Sequence, residues 1–292
     1  MPSQFVRVRK DRPCGVCAKT DYCTRTVDGK LARCMRIKSE KESPGKDGSL
    51  GWLHKIGDPI PVQPEKETVK IKDVGAVAKK MYHDKLAAEK RQELAASLGV
   101  TVASLESLRV GIGWDHGGEE FASFPSMDAD CRITGITRRY FDGSKKTLAG
   151  TSNSGIFVPM NWWTHPGPVL IVEGASDVAA LISHQIACLG RPSNVGGAKI
   201  ILAYLRRRAQ SRAVYVVGEN DLKKDRVGTV AQCAADCFGC SWCWPGKYGA
   251  INTAHRLRCK WFMPPSEYKD ARQWIKDANF RADLEKLLLS AS

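Results

Sequence analysis

Four apolar residues, Val169-Leu170-Ile171-Val172, run without a break into Glu173-Gly174-Ala175-Ser176-Asp177. An unbroken apolar run of this length predicts a strand buried on both faces, as in a parallel sheet. Gly174 suits the tight turn at its end, and Ser176-Asp177-Val178-Ala179-Ala180-Leu181 predicts the start of a helix. Strand and helix then alternate. Val214-Tyr215-Val216-Val217 is a second buried strand, ending in Gly218-Glu219-Asn220-Asp221. Trp261-Phe262-Met263 is a third, leading through Pro264-Pro265 to Lys269-Asp270, and Phe280 to Leu289 predicts a last amphipathic helix.

Upstream the period changes. Val77, Met81, Leu86, Leu94 and Leu98 recur at helical spacing between Val74 and Leu98, which predicts one amphipathic helix or two. Val102 to Leu108 predicts another short helix. Phe121 to Phe124 and Ile133 to Tyr140 alternate as strands do, with Asp128-Ala129-Asp130 as the turn between them. Asp142-Gly143 is a hairpin signal. That hairpin would bring Lys145 and Lys146 beside Arg138 and Arg139, four cations on one small sheet.

Composition narrows the class. The chain has 292 residues, enough for two domains and a small third, and its 43% hydrophobic content supports a real core. Lys+Arg 45 against Asp+Glu 31 gives a net charge of +14, which points to a polyanionic partner, most often nucleic acid. No apolar run is long enough to span a membrane, and Met1 to Arg7 lacks the apolar core of a signal peptide. Eleven cysteines in such a chain suggest reduced thiols, metal ligation and a cytoplasmic location.

Four of those cysteines form a pattern. Cys14-Gly15-Val16-Cys17 is a knuckle, and Cys23 and Cys34 complete C-x2-C-x5-C-x10-C. Tetrahedral zinc needs four soft ligands, and a knuckle supplies two from one turn. Thr24 to Arg33, centred on Asp28-Gly29, predicts the hairpin that returns Cys34 to the metal. The module has too few apolar residues to fold alone, so zinc would supply most of its stability. Basic residues flank it, among them Arg7, Arg9, Arg33 and Arg36, as suits contact with nucleic-acid phosphates. Residues 43–68, rich in Lys, Gly, Pro and Ser, read as a linker with a short Trp52-Leu53-His54 contact. Cys131, Cys188 and Cys259 read as core residues.

Carboxylates at the C-terminal tips of parallel strands sit in the crevice where α/β sheets bind ligands. Three strand ends deliver Glu173, Asp177, Glu219, Asp221 and Asp270. Carboxylates gathered so would repel one another unless they shared Mg2+ or Mn2+. Any one of them alone has a plainer explanation as a helix N-cap or turn residue. The whole set does not.

The order of these motifs resembles the Toprim domain, and within it the bacterial DnaG-type primases. Glu173-Gly174-Ala175-Ser176-Asp177 is similar to their acidic motif, and Leu189-Gly190-Arg191-Pro192-Ser193 to the loop after their second strand. Glu219 and Asp221 fall on their two-aspartate motif, and Lys269-Asp270 on their late acidic motif. Phe141 to Leu148, followed by Gly155-Ile156-Phe157, resembles their lysine-bearing segment. The implied fold is α/β, α+β overall. It comprises a zinc ribbon at 1–42, a linker at 43–68, a basic α+β primase subdomain at 69–165 and a Toprim-like parallel-sheet domain at 166–292.

The implied activity is template-directed synthesis of short RNA primers on single-stranded DNA from nucleoside triphosphates. Glu173, Asp177, Glu219, Asp221 and Asp270 would be catalytic, with Mg2+ or Mn2+ on Glu219, Asp221 and Asp270. Arg138, Arg139, Lys145, Lys146 and Lys269 would grip nucleotide or nucleic acid, and the zinc ribbon would inspect the template. The chain lacks a GxxxxGK[ST] motif, so a replicative helicase would be a separate partner. The host would be a bacterium, a plasmid or a phage. A Toprim nuclease and a non-catalytic, primase-derived DNA-binding protein are the rival readings. Two departures stand out. Glu219 replaces the usual aspartate, one methylene longer. An insertion at 222–246 carries Cys233, Cys237, Cys240 and Cys243, whose spacing suits a second zinc or an iron–sulfur cluster, and Cys233 could equally face a helix core as a small apolar residue.

Overall fold

The computed structural model describes residues 5–44, 50–56, 71–208, 212–222, 240–241 and 243–291. The chain divides into two compact units, residues 1–67 and 68–292.

The first unit is a five-stranded antiparallel sheet of β1 (Phe5–Arg7), β2 (Thr24–Thr26), β3 (Leu31–Cys34), β4 (Glu42–Pro44) and β5 (Leu50–Lys55), in the order β1-β2-β3-β5-β4. The β2–β3 hairpin turns at Asp28-Gly29, as the sequence predicts. The Asp28 carboxylate accepts from Thr26 Oγ1 at 2.5 Å and from the Lys30 amide at 3.1 Å. One expectation needs correcting. Residues 50–55 are not linker but the strand β5, paired along β3 with Trp52 opposite Cys34. The Lys, Gly and Pro around this strand hide its six residues from a reading by composition.

The second unit carries two sheets on a common core. Helices α1 (Val74–Tyr82), α2 (Ala87–Leu98) and α3 (Val102–Ser107) come first. Asp73 caps α1 and Thr101 caps α3, and α2 stops at Gly99 in the left-handed conformation. Strands β6 (Gly111–Trp114), β7 (Glu120–Met127), β8 (Ile133–Tyr140) and β9 (Lys145–Thr147) then form an antiparallel sheet in chain order. The β7–β8 turn exposes Cys131 at φ +65°, so this cysteine is not a core residue. The turn polarity that marks Asp128 to Asp130 extends to it. Cys188 is buried and Cys259 half-buried.

A parallel sheet follows, built from β10 (Val169–Glu173), β11 (Cys188–Arg191), β12 (Val214–Val217) and β13 (Lys260–Phe262) in the order β11-β10-β12-β13. Helices α4 (Gly174–Ser183), α5 (Ala198–Arg208) and α6 (Pro245–Leu257) alternate with these strands, and α7 (Ala271–Trp274) and α8 (Phe280–Ser290) follow β13. Val169 to Val172 are each at most 1% exposed, as a strand covered on both faces must be. Burying each such side chain contributes roughly 1.5–3 kcal/mol.

The two sheets are joined by main-chain bonds. Met127 exchanges hydrogen bonds with Ile156, and Phe157 with Gly190 on β11. A Cβ on Gly190 would lie 2.7 Å from Val178 and 3.0 Å from Phe157, so only glycine permits this approach. The junction turns one face of β8–β9 toward the tips of the parallel strands.

Candidate functional site

In the first unit the four predicted cysteines converge. The Sγ atoms of Cys14, Cys17, Cys23 and Cys34 all lie within 4.8 Å of one another. Cys17 and Cys23 are 3.7 Å apart, and Cys23 and Cys34 3.9 Å. A tetrahedron of zinc–sulfur bonds of about 2.3 Å has edges of about 3.8 Å, so the set fits zinc. Amides of Met35, Arg36 and Ile37 donate to Cys23 and Cys34 at 3.3–3.4 Å, which offsets thiolate charge. The Arg36 guanidinium lies 3.6 Å from Cys23. Burial pushes Cys17 up, but hydrogen bonds from the Lys19 amide and the neighbouring thiols outweigh it, and the thiol falls to about 7. Burial carries Cys23 to about 12. Zinc on the four sulfurs would replace their protons.

In the second unit the strand tips open on a crevice of about 560 Å3. Glu173, Asp177, Glu219 and Asp270 line it from one side, and Arg139, Lys145, Lys269 and Arg272 supply its cations. Each acid is fixed differently. Glu173 ends β10 just before Gly174, which turns the chain at φ +78°. Asp177 lies inside the first turn of α4, 3% exposed, and caps nothing. Asp270 is the N-cap of α7, its Oδ1 accepting from the Gln273 amide at 2.9 Å. Asp221 does not line the crevice. Its Oδ1 accepts the Gly246 amide at 2.7 Å in the first turn of α6, so the plain capping role holds here and at Asp270.

Electrostatics separates these acids from ordinary surface carboxylates. Burial, then Asp270 and Glu219, hold the Asp177 carboxyl well above its usual range. Burial, then Glu173 and Asp270, raise Glu219 to about 7. Burial also raises Glu173, against the pull of Arg191. Such a set of crowded carboxylates offers hard oxygen ligands, which fits Mg2+ or Mn2+. Among the described residues, the four cysteines are the group of candidate ligand atoms drawn tightly together, and the crevice carboxylates do not form another such group.

The four cations of the β8–β9 hairpin pair as predicted, Arg138 with Lys146 and Arg139 with Lys145. All four lie on one small sheet, as expected, but they do not share one face. Side chains alternate along a strand. Arg139 and Lys145 face the crevice. Arg138 lies over the Phe121 and Tyr140 rings at 5.5 and 5.6 Å, and Lys146 over Tyr140 at 5.1 Å. Arg138 is absent from the crevice wall, while Lys146 reaches its edge. Lys145 is open to solvent, but the protein crowding its ammonium, and then Arg139, hold it below the ordinary lysine value; Asp177 and Glu219 pull the other way.

Three residues that sequence reasoning passed over belong to this site. Arg272 lines the crevice from the first turn of α7. Arg191 is wholly buried at the tip of β11, in register with Glu173. Asn220 donates from Nδ2 to the carbonyls of Pro264, Pro265 and Tyr268 at 2.8–3.1 Å, and so ties the Glu219 loop to the Asp270 loop. The only signal for Asn220 was its place between Glu219 and Asp221. Of the second cysteine group, Cys240 and Cys243 have their Sγ atoms 3.4 Å apart. Cys233 and Cys237 lie outside the described residues.

No protein-family model and no curated protein matches the chain. Solved structures do. The zinc-binding and RNA polymerase domains of the Aquifex aeolicus primase align at 13% identity over 74% of this chain and 59% of that one, with a TM-score of 0.50. A DnaG primase catalytic domain bound to single-stranded DNA aligns at 15% identity over 74% and 76%, TM-score 0.48. The primase fragment of the bacteriophage T7 primase-helicase aligns at 15% identity over 97% and 100%, TM-score 0.45. In its fold, with the four-cysteine cluster and the two sheets of the second unit, the chain resembles the DnaG-type primases.

Proposed function

We propose that this chain is a primase, making short RNA primers on single-stranded DNA by metal-dependent nucleotidyl transfer. The observation that carries the reading is the crevice. Buried and half-buried, mutually repelling acids at the tips of β10, β12 and β13 share with Arg139, Lys145 and Arg272 a space that admits a nucleoside triphosphate. The fold shared with the A. aeolicus primase supports it. On this reading the β10–β13 domain is a Toprim domain.

The chain's own groups divide the work. Arg139, Lys145, Lys269 and Arg272 hold the triphosphate, each giving charge-assisted hydrogen bonds to phosphate oxygens. Glu173, whose pKa burial raises, takes the proton of the attacking 3′-hydroxyl. The hydroxyl oxygen bonds to the α-phosphorus as the bond to the bridging oxygen breaks, and pyrophosphate leaves. Mg2+ or Mn2+, when held by Glu219 and Asp270 with Asp177 beside them, would neutralise the triphosphate and the leaving group. Asn220 keeps the two acid-bearing loops together. The zinc ribbon, with Arg36 beside its sulfurs, would contact the template. A helicase would be a separate partner, in the cytoplasm of a bacterium carrying the gene itself or on a plasmid or phage.

The test is purified protein with single-stranded DNA, labelled ribonucleotides and Mg2+. Wild type makes oligoribonucleotides, and Glu173→Gln lowers the yield by about 10²–10⁴-fold. Equal yield from Glu173→Gln removes that residue from the mechanism. Metal-dependent nicking without polymerisation indicates a nuclease, and tight DNA binding with no chemistry a binding protein.

A further inference from the structure

The knuckle of the first unit has a definite backbone turn. In Cys14-Gly15-Val16-Cys17 the next amide, that of Ala18, donates to the Cys14 carbonyl at 2.8 Å. The Cys17 amide hydrogen-bonds the Cys14 sulfur and favours its thiolate. The second unit repeats this turn at Cys240 to Cys243, a second C-x2-C. Here the Trp244 amide donates to the Cys240 carbonyl at 3.1 Å, and the Cys243 amide to the Cys240 sulfur at 3.5 Å. Cys243 is buried and Cys240 half-buried, with their sulfurs 3.4 Å apart. Two thiolates on one ion, with bonds of about 2.3 Å, stand about 3.8 Å apart. In a four-iron cluster each cysteine sits on its own iron, which keeps the sulfurs much farther from one another. The spacing therefore suits a single ion. Tetrahedral zinc takes four ligands, and the sequence carries two more thiols shortly before the knuckle, Cys233 and Cys237, outside the described residues.

The position of the knuckle gives such an ion a task. Cys243 precedes Trp244, the N-cap of α6, and Pro245 begins the helix. In the first turn the Gly246 amide donates to Asp221 Oδ1 at 2.7 Å. A Cβ on Gly246 would lie 2.5 Å from that oxygen and 2.5 Å from the Glu219 carbonyl, so the helix start and the Glu219 loop are in close contact. We propose that Cys240 and Cys243 ligate a second, structural zinc ion, which braces the start of α6 against the Glu219–Asp221 loop. Soft thiolates here and hard carboxylates in the crevice draw different metals, so the two sites are chemically separate. The zinc site goes beyond the nucleotidyl-transfer reading and does not depend on it.

The test is the zinc content of the purified chain by inductively coupled plasma mass spectrometry. The chain is first dialysed with a reductant and excess Mg2+, which keeps zinc off the crevice carboxylates. Wild type should hold about two zinc ions, one for each knuckle. Cys240→Ser, Cys243→Ser and Cys14→Ser should each hold about one, and Cys14→Ser with Cys240→Ser none. Cys131→Ser, at an exposed thiol, should keep both. Amide exchange at Gly246 to Ala250 should rise by about tenfold or more in Cys240→Ser and stay at the wild-type rate in Cys14→Ser. If Cys240→Ser does not fold, the wild-type zinc content decides. About one zinc per wild-type chain overturns the inference, whether the pair is reduced or joined as a disulfide, and so does iron in place of the second zinc. Unchanged exchange in Cys240→Ser overturns the bracing role. Each of these outcomes leaves the proposed function standing.

Discussion

The two units reach order by opposite routes. The buried apolar cluster of the first consists of Val8, Ala32 and the sulfurs of Cys14, Cys23 and Cys34. The second buries whole strands and helices, with Val169 to Val172 at the centre and Trp162 and Trp274 among its largest buried side chains. A unit of the first kind borrows its stability from a ligand, and one of the second kind makes its own from apolar area. The difference extends to charge. The sulfurs close on one point, whereas the carboxylates of the crevice are crowded by burial and by one another, with Arg272 and Lys145 acting against that repulsion.

Removing zinc is the strongest way to break this comparison. Chelation should unfold residues 5–44 and 50–56, because binding of about 10 kcal/mol or more is lost there. Hydrogen exchange should rise throughout β2 and β3 and stay unchanged in β10. Retained protection in β3 would mean that the ribbon holds itself without metal. The converse experiment is Ile171→Ala, which opens a cavity in the middle of β10. It should cost the second unit about 2–5 kcal/mol in urea unfolding and leave the zinc affinity of the first unit as it was.

How much of this was legible in the sequence follows from the range of each interaction. The strand tips were legible, because four apolar residues before Glu173 and again before Gly218 announce buried strands from local pattern alone. The Asp142-Gly143 turn likewise fixes Arg139 opposite Lys145. Arg191 was not legible as a buried ion, since an arginine after Leu189-Gly190 reads as the first residue of a loop. Its partners, Gly249 and Thr253, are 58 and 62 residues away. Strand β5 was hidden by its neighbours' composition, and the division of the hairpin cations between two faces needed the sheet to be seen from both sides. Contacts within a turn are written in the local pattern, and contacts across the fold are not.

Acid should move the two units in opposite directions. Glu219 has a folded pKa of about 7 against about 4.5 for the free side chain, raised first by burial. Between these values the folded chain binds more protons than the unfolded chain. Stability of the second unit is therefore full below about pH 4.5 and falls as pH rises to about 7. Glu219 is partly open to water, which limits the loss to about 1–3 kcal/mol. Glu173 and Asp177 shift in the same direction and add to it. The zinc ribbon needs thiolates, so it weakens as pH falls. Urea unfolding of the second unit at several pH values, without divalent ions, checks the slope. Glu219→Gln should flatten it, and Mn2+ should flatten it in wild type. A slope of the opposite sign would mean that the crevice acids are already neutralised by the cations around them.

The smallest expected effect concerns how each unit holds its loops. In the first unit zinc on the four sulfurs would tie the knuckle to β3. In the second, a single amide does comparable work, since the two Nδ2 hydrogens of Asn220 are shared among the carbonyls of Pro264, Pro265 and Tyr268. The Asn220 amide also donates to the Lys269 carbonyl at 2.7 Å, a bond that survives any side-chain change. Asn220→Ala should therefore loosen the Asp270 loop without detaching it, at a cost of about 1–2 kcal/mol, because the half-buried carbonyls recover some hydration. Asn220→Asp should be worse, since it sets a carboxylate against three carbonyls beside Glu219 and Asp270. The measurement is urea unfolding with hydrogen exchange at Lys269 to Gln273. Exchange there that matches wild type in both variants would show that the main-chain bond alone fixes the loop and that the acids of the crevice are held by their own strands.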